Sequence, residues 1–114
     1  MTFYPITPVP KPRMTQRDKW KKRPCVLRYR AFCDEVRLRI NQDLDGASIT
    51  FHIPMPSSWS TKKRVDMDGK PHRSRPDLDN FCKGIFDAMY AEDSHIAEIT
   101  LRKVWAKQGG IEFT

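Results

Sequence analysis

Asp77, Asp79, Asn80 and Lys83 stand within one short run, and Glu92-Asp93 follows closely behind it. Carboxylates are hard oxygen ligands, and a small group of them suits Mg²⁺ or Mn²⁺. The rest of the chain has the opposite charge. It carries 21 Lys and Arg against 14 Asp and Glu, a formal net charge of +7. A chain of that balance seeks a polyanion, with nucleic acid ahead of an anionic membrane surface. Acids that can hold a divalent cation, in a protein that attracts phosphate, point to a metal-dependent enzyme acting on the nucleic-acid backbone. The competing reading is plain: aspartates also cap helices and decorate solvated faces.

Three features weigh toward chemistry. Arg75 and Pro76 immediately precede the acids. Lys83 lies four residues after Asp79, on the same side of any helix that starts there. The charges are also segregated. Residues 1–39 carry eleven Lys and Arg against three acids, whereas residues 77–98 carry six acids against one Lys.

The elements around the acids decide whether they can meet. Two residues apart on an ideal helix, Asp77 and Asp79 would point about 200° apart. They converge if Asp77 belongs to an extended segment and Asp79 to the first helical turn. Asp93 comes after a helix of about 11 residues, roughly 16 Å long, so it has to return through the following turn or strand.

The chain reads as strand, helix, strand, helix, strand, strand. Residues 2–7 form a short first strand that Pro5 confines to an edge or breaks. Pro8-Val9-Pro10-Lys11-Pro12-Arg13 is too rich in proline for anything but an extended segment. Residues 14–23 form a basic loop with Arg17, Lys19, Lys21, Lys22 and Arg23, where Trp20 either stacks on an unpaired base or covers an apolar edge. Pro24 opens a helix whose stripe is Tyr29, Phe32, Cys33, Val36, Ile40 and Leu44, ended by Asp45-Gly46. Ile49, Phe51, Ile53 and Met55 alternate as a half-buried strand.

Residues 57–75 read as a surface loop or as a flap that grips phosphate. A second helix from Asp77 or Asp79 to Tyr90 buries Leu78, Phe81, Cys82, Ile85, Phe86 and Met89. A strand over residues 96–107 follows, and Gly109-Gly110 turns it into a last strand at 111–114. The expected fold is one small α/β (α+β) domain over residues 1–114, a mixed sheet of about four strands with two helices.

Cys25, Cys33 and Cys82 show no paired spacing, which argues against a disulfide framework or a zinc site. His52, His72 and His95 are equally scattered and read as solvated. With no apolar run near the ~20 residues of a membrane span and no apolar stretch of a secretory signal, the expectation is a cytoplasmic protein.

The run Arg75-Pro76-Asp77-Leu78-Asp79-Asn80-Phe81-Cys82-Lys83, then Phe86-Asp87-Ala88-Met89 and Glu92-Asp93, resembles the RusA family of Holliday-junction resolvases. The early Pro10-Lys11-Pro12-Arg13 and the closing Gly-Gly are similar too. The resemblance implies that Asp77, Asp79 and Asp93 are catalytic metal-binding acids and that Lys83 assists at the scissile phosphate. It implies a homodimeric, Mg²⁺-dependent endonuclease that nicks opposed strands of a four-way junction. One departure is the short link between Met89 and the acidic pair, only Tyr90-Ala91, where some members carry several more residues.

Around that centre, Asn80 and Glu92 are expected behind the ligands, with Asn80 donating to a ligand carboxylate or merely starting the helix. Lys83 has a second reading as a surface ion-pair partner of Asp79. Lys11, Arg13, Arg17, Lys62, Lys63, Arg64, Arg73 and Arg75 are the expected DNA contacts. Trp59, Trp105 and Phe113 either line a dimer interface or complete the monomer core. The rival functions are a non-catalytic binder of branched or single-stranded nucleic acid, and a nuclease for other branched DNA.

Overall fold

The computed structural model describes residues 1–13 and 23–114. Its strands are β1 (Thr2–Tyr4), β2 (Ser48–Pro54), β3 (Thr100–Ala106) and β4 (Gly110–Phe113). Its helices are α1 (Pro24–Arg39), α2 (Thr61–Met67) and α3 (Leu78–Met89). One mixed sheet orders the strands β1-β4-β2-β3, which is the expected α/β class.

The apolar alternation of β2 places it in the interior of the sheet. Ile49 and Phe51 are 1% and 0% exposed, and both neighbours pair along this strand. β3 runs parallel to it, from Ser48 opposite Thr100 to Pro54 opposite Ala106. A parallel pair needs a long crossover, and α2 and α3 lie in it. β4 pairs antiparallel with β2 and with β1. β1 lies at the edge and stops before Pro5, as its proline requires.

α1 and α3 cover one face of the sheet. Tyr29, Phe32, Cys33 and Val36 from α1 meet Phe81, Ile85 and Ala88 from α3 over Ile49, Phe51, Ile111 and Phe113. The Phe51 and Phe81 rings stack with centroids 5.6 Å apart.

Four expectations are corrected. The closing Gly-Gly does not fold β3 and β4 into a hairpin, because β2 lies between them. Gly110 serves close approach instead, since a Cβ there would strike the Phe3 ring. α1 ends at Arg39 with Ile40 already extended, although Ile40 and Leu44 are still buried. Burial continues past the helix, so the apolar spacing overran its end. Part of the 57–75 segment is helical: Ser60 Oγ accepts from the Lys63 N–H and starts α2. α2 buries no residue and so shows no apolar stripe. Of the two readings open for Trp105 and Phe113, the burial of both, at 9% and 5% exposure, favours the chain's own interior. His72 is not solvated but 3% exposed.

Candidate active site

The acidic motif sits where an extended segment becomes α3. Asp77 occupies the N-cap position in extended backbone, with φ −68° and ψ 151°. Its carboxylate makes no capping hydrogen bond, so the cap reading does not use it up. Asp79 follows in the first turn and pairs with Lys83 at 3.5 Å. Both partners of that pair are well exposed, so it holds a geometry more than it stabilises the fold. The segment before the acids is tied down by Lys103. Its Nζ donates to the carbonyls of Ser74 and Pro76, each at 2.6 Å. The Arg75–Pro76 peptide is cis.

Asp93 reaches the same place by folding back. α3 has 12 residues, about 18 Å of helix, and the chain returns along it before β3. The return is pinned at the far end by the loop after α1. The Tyr90 hydroxyl donates to Asp43 Oδ1 at 2.7 Å and accepts from the Leu44 N–H at 2.9 Å. Asp45 Oδ1 accepts from the N–H groups of Ala97 and Glu98. Glu92 Oε1 accepts from the Ser94 N–H at 3.1 Å and so shapes the turn that carries Asp93.

The outcome is a cavity of about 560 Å³ lined by Asp79, Asp93, Lys83, Lys11 and Asp87 over a floor of Leu78, Cys82, Phe86 and Leu101. Burial raises the Cys82 thiol above its ordinary value, and the nearby Asp79 and Asp93 raise it further. The two carboxylates thus act on one half-buried sulfur. Asp77 is not among the lining residues. Among the described residues, no three His, Cys, Asp or Glu groups come close enough to hold a metal ion by themselves. Mg²⁺ at phosphate-handling sites commonly takes only one or two protein carboxylates, with water and substrate oxygens completing the shell. Asp79 and Asp93 fit that donor set in type and number.

Asp87, which the sequence offered only as part of the Phe86-Asp87-Ala88-Met89 run, also lines this cavity. Asp87 Oδ2 pairs with Lys11 Nζ at 2.5 Å and accepts from the Tyr29 hydroxyl at 3.2 Å. Burial pushes the Tyr29 hydroxyl far above its ordinary value, which keeps it protonated as a donor. The proline-rich arm lies across α3, with the Lys11 N–H on the Asn80 carbonyl at 3.2 Å. Gly84 permits this approach, since a Cβ there would come within 2.8 Å of the Val9 carbonyl oxygen. A second cavity, lined by Lys11, Pro12, Arg13, Asn80 and Lys83, shares its two lysines with the acidic one. Asn80 therefore faces the basic mouth.

The other expected contacts lie elsewhere. Lys63 and Arg73 line a separate pocket. Arg64 donates to the Pro56 carbonyl at 2.8 Å. Lys62 and Arg75 are exposed. Arg17 and Trp20 lie outside the described residues. The three cysteines are free, and among the described residues no helix is long and apolar enough to cross a membrane.

This basic chain thus has a cavity lined by three aspartates and two lysines, groups of the types that hold a divalent cation and a phosphate. The family model for endodeoxyribonuclease RusA matches residues 5–114. The chain belongs to the RusA family and is an endodeoxyribonuclease. No curated protein and no solved structure matches it.

Proposed function

We propose that this endonuclease resolves four-way DNA junctions by paired nicks and depends on Mg²⁺, with Mn²⁺ able to substitute. The observation that carries the reading is the convergence of Asp79 and Asp93 on one cavity whose mouth is lined by Lys11 and Lys83. Asp79 and Asp93 would hold the cation, and Asp77, two residues before Asp79 and free of any capping hydrogen bond, would join them when substrate binds. The bound cation supplies Lewis-acid polarisation of the phosphodiester and a water acidified enough to attack.

The chain's own groups do the rest. Lys83 and Lys11 offer N–H donors to the non-bridging phosphate oxygens, where negative charge grows in the transition state. Asp87 and Tyr29 hold Lys11 in place. The apolar floor of Leu78, Phe86 and Leu101 limits bulk water and strengthens these interactions. Asn80 orients the phosphate at the mouth, and Glu92 fixes the turn of Asp93. Arg13, Arg17, Lys62, Lys63, Arg64, Arg73 and Arg75 extend the electrostatic footprint along the arms.

One cavity cuts one strand. Paired nicks in a twofold substrate call for a twofold dimer, which places two equivalent sites at a fixed spacing. The apolar surface left for that contact includes Phe3, Leu27, Leu38 and Val65, between 44% and 85% exposed. The whole chain acts as one RusA-like domain, working in the cytoplasm on branched DNA.

A synthetic four-way junction with one labelled strand at a time tests this reading. Symmetric nicks with Mg²⁺, and none in chelator, are expected. A protein that binds the junction but cuts it with neither Mg²⁺ nor Mn²⁺ would sink the proposal. Cutting of flaps with junctions spared would move it to another branched substrate.

A further inference from the structure

We propose that the pocket between α2 and β3 is a base-capture site that takes an unpaired nucleotide of the DNA; this rests on the DNA-directed reading above, but not on metal or cleavage. The pocket, about 430 Å³, is lined by Trp59, Lys63, Met67, Lys70, Arg73 and Trp105, among others. It shares no lining residue with the acidic cavity, and no Asp or Glu lines it. Cations without acids, beside two indoles, form the surface that single strands use: the cations follow the phosphates and the rings stack on bases.

The ring centroids of Trp59 and Trp105 lie 4.7 Å apart at 56°, so the two indoles touch and the face open to a base is the one on Trp59 under Lys63. Trp105 is fixed from behind by His72, with ring centroids 4.2 Å apart. Trp59 is only partly buried, and the Lys63 ammonium covers it at 4.3 Å from the ring centroid. An exposed cation–π contact is worth a factor of about 2 to 5. A stacked base is worth a factor of about 5 to 150. A base therefore displaces Lys63 from the ring, and the freed ammonium is left beside the incoming phosphate.

His72 is 3% exposed and backs Trp105 without lining the pocket itself, and among the described residues its Nδ1 has no hydrogen-bond partner. The pocket is also tethered to the acids. Ser74 lines it and Asp79 lines the acidic cavity. Those residues are five apart, which spans about 17 Å at most. That reach corresponds to about five nucleotide rises of one strand. The captured base is therefore a near neighbour of the phosphate presented to Asp79 and Asp93.

The test uses the full chain, without metal, and two labelled single strands of equal length and charge, oligothymidylate and its abasic counterpart. Fluorescence anisotropy should give about 5- to 150-fold tighter binding to oligothymidylate. Trp59→Phe should retain most of that preference and Trp59→Ala should remove it. Equal affinity for the two strands would overturn the proposal and leave a phosphate-only surface. Retained preference in a folded Trp59→Ala variant would also overturn it. A loss of self-association in Trp59→Ala, with no base preference in the wild type, would assign the pocket to a second copy of the chain instead. Because no junction is cut in this experiment, its failure is distinct from failure of the resolvase reading.

Discussion

Two regions of this molecule differ in the charges they present. Along α3, Asp79, Asp87 and Asp93 share a cavity with Lys11 and Lys83 over an apolar floor. Between α2 and β3, cations and indoles line a pocket without any acid. The first region repels phosphate until something neutralises it. The second attracts phosphate at once but has no acid to hold a cation. On the reading proposed above, binding and cutting fall to different side chains, joined by the short 74–79 segment. In such a division of labour, changes on one side should leave the other nearly intact.

The sharpest way to break that division is to remove the acids. Asp79→Asn and Asp93→Asn should each lower cleavage by about 10³-fold or more while junction affinity holds or rises, because the lost charge served the cation and opposed the phosphate. Asp77→Asn should do the same if Asp77 joins the site on substrate closure. Cleavage assays beside gel-shift titrations would check this. Near-normal cutting by any variant would strike that residue from the site.

A smaller effect is expected from the tether. Lys103 projects from β3 on the helix-covered side of the sheet, yet it spends its ammonium on two carbonyls of the segment between the regions. Lys103→Met keeps the apolar stem and removes both bonds. Catalytic groups misplaced by about 1 Å can lose about 10²-fold in rate, so cleavage should fall about 10- to 100-fold. Single-strand affinity should change far less. Equal losses in both would show that the segment does not couple two separable regions.

The legibility of the molecule follows the same line. The acids of α3 could be read because a cluster of carboxylates in a basic chain is visible locally, and Pro76 marks the extended residue before the helix. The stripes of α1 and α3 could be read because burial repeats with the helical period. Four things could not. The insertion of β2 between β3 and β4 is a non-local pairing that a Gly-Gly pair does not encode. α2 is held by a Ser60 cap and buries nothing, so it has no stripe to find. The Lys11–Asp87 pair joins residues 76 positions apart, and only the arm's passage over Gly84 brings them together. The return of Asp93 likewise depends on Asp43, Asp45 and Tyr90, whose pairings cross the whole chain.

Salt should separate the faces again, with a smaller change. Neutralising Lys62, Lys63 and Arg64 to Gln should make the slope of log affinity against log salt shallower by up to about 2 to 3, since each phosphate contact contributes about 0.7 to 0.9. At low salt and saturating enzyme, the rate of cutting should be almost unchanged. A slope equal to that of the wild type would remove α2 from the footprint. A collapse in saturated rate would mean that α2 belongs to the chemistry.

The smallest effect expected concerns pH, and it lies behind the basic pocket. Burial, and then the charge of Lys103, hold His72 below its ordinary value of 6.5. The unfolded chain therefore binds a proton that the fold resists. Stability from this source is intact above about pH 6.5 and declines as pH falls below it toward the depressed folded value. His72→Phe removes the titration, so the loss of melting temperature between pH 7.5 and pH 5 should be smaller in the variant than in the wild type. Lys103→Met should lie between them, because it removes one of the two causes. Parallel pH dependence in the wild type and His72→Phe would show that the imidazole is protonated without cost in the fold. The wall of the basic pocket would then be more open to water than the buried packing of His72 against Trp105 implies.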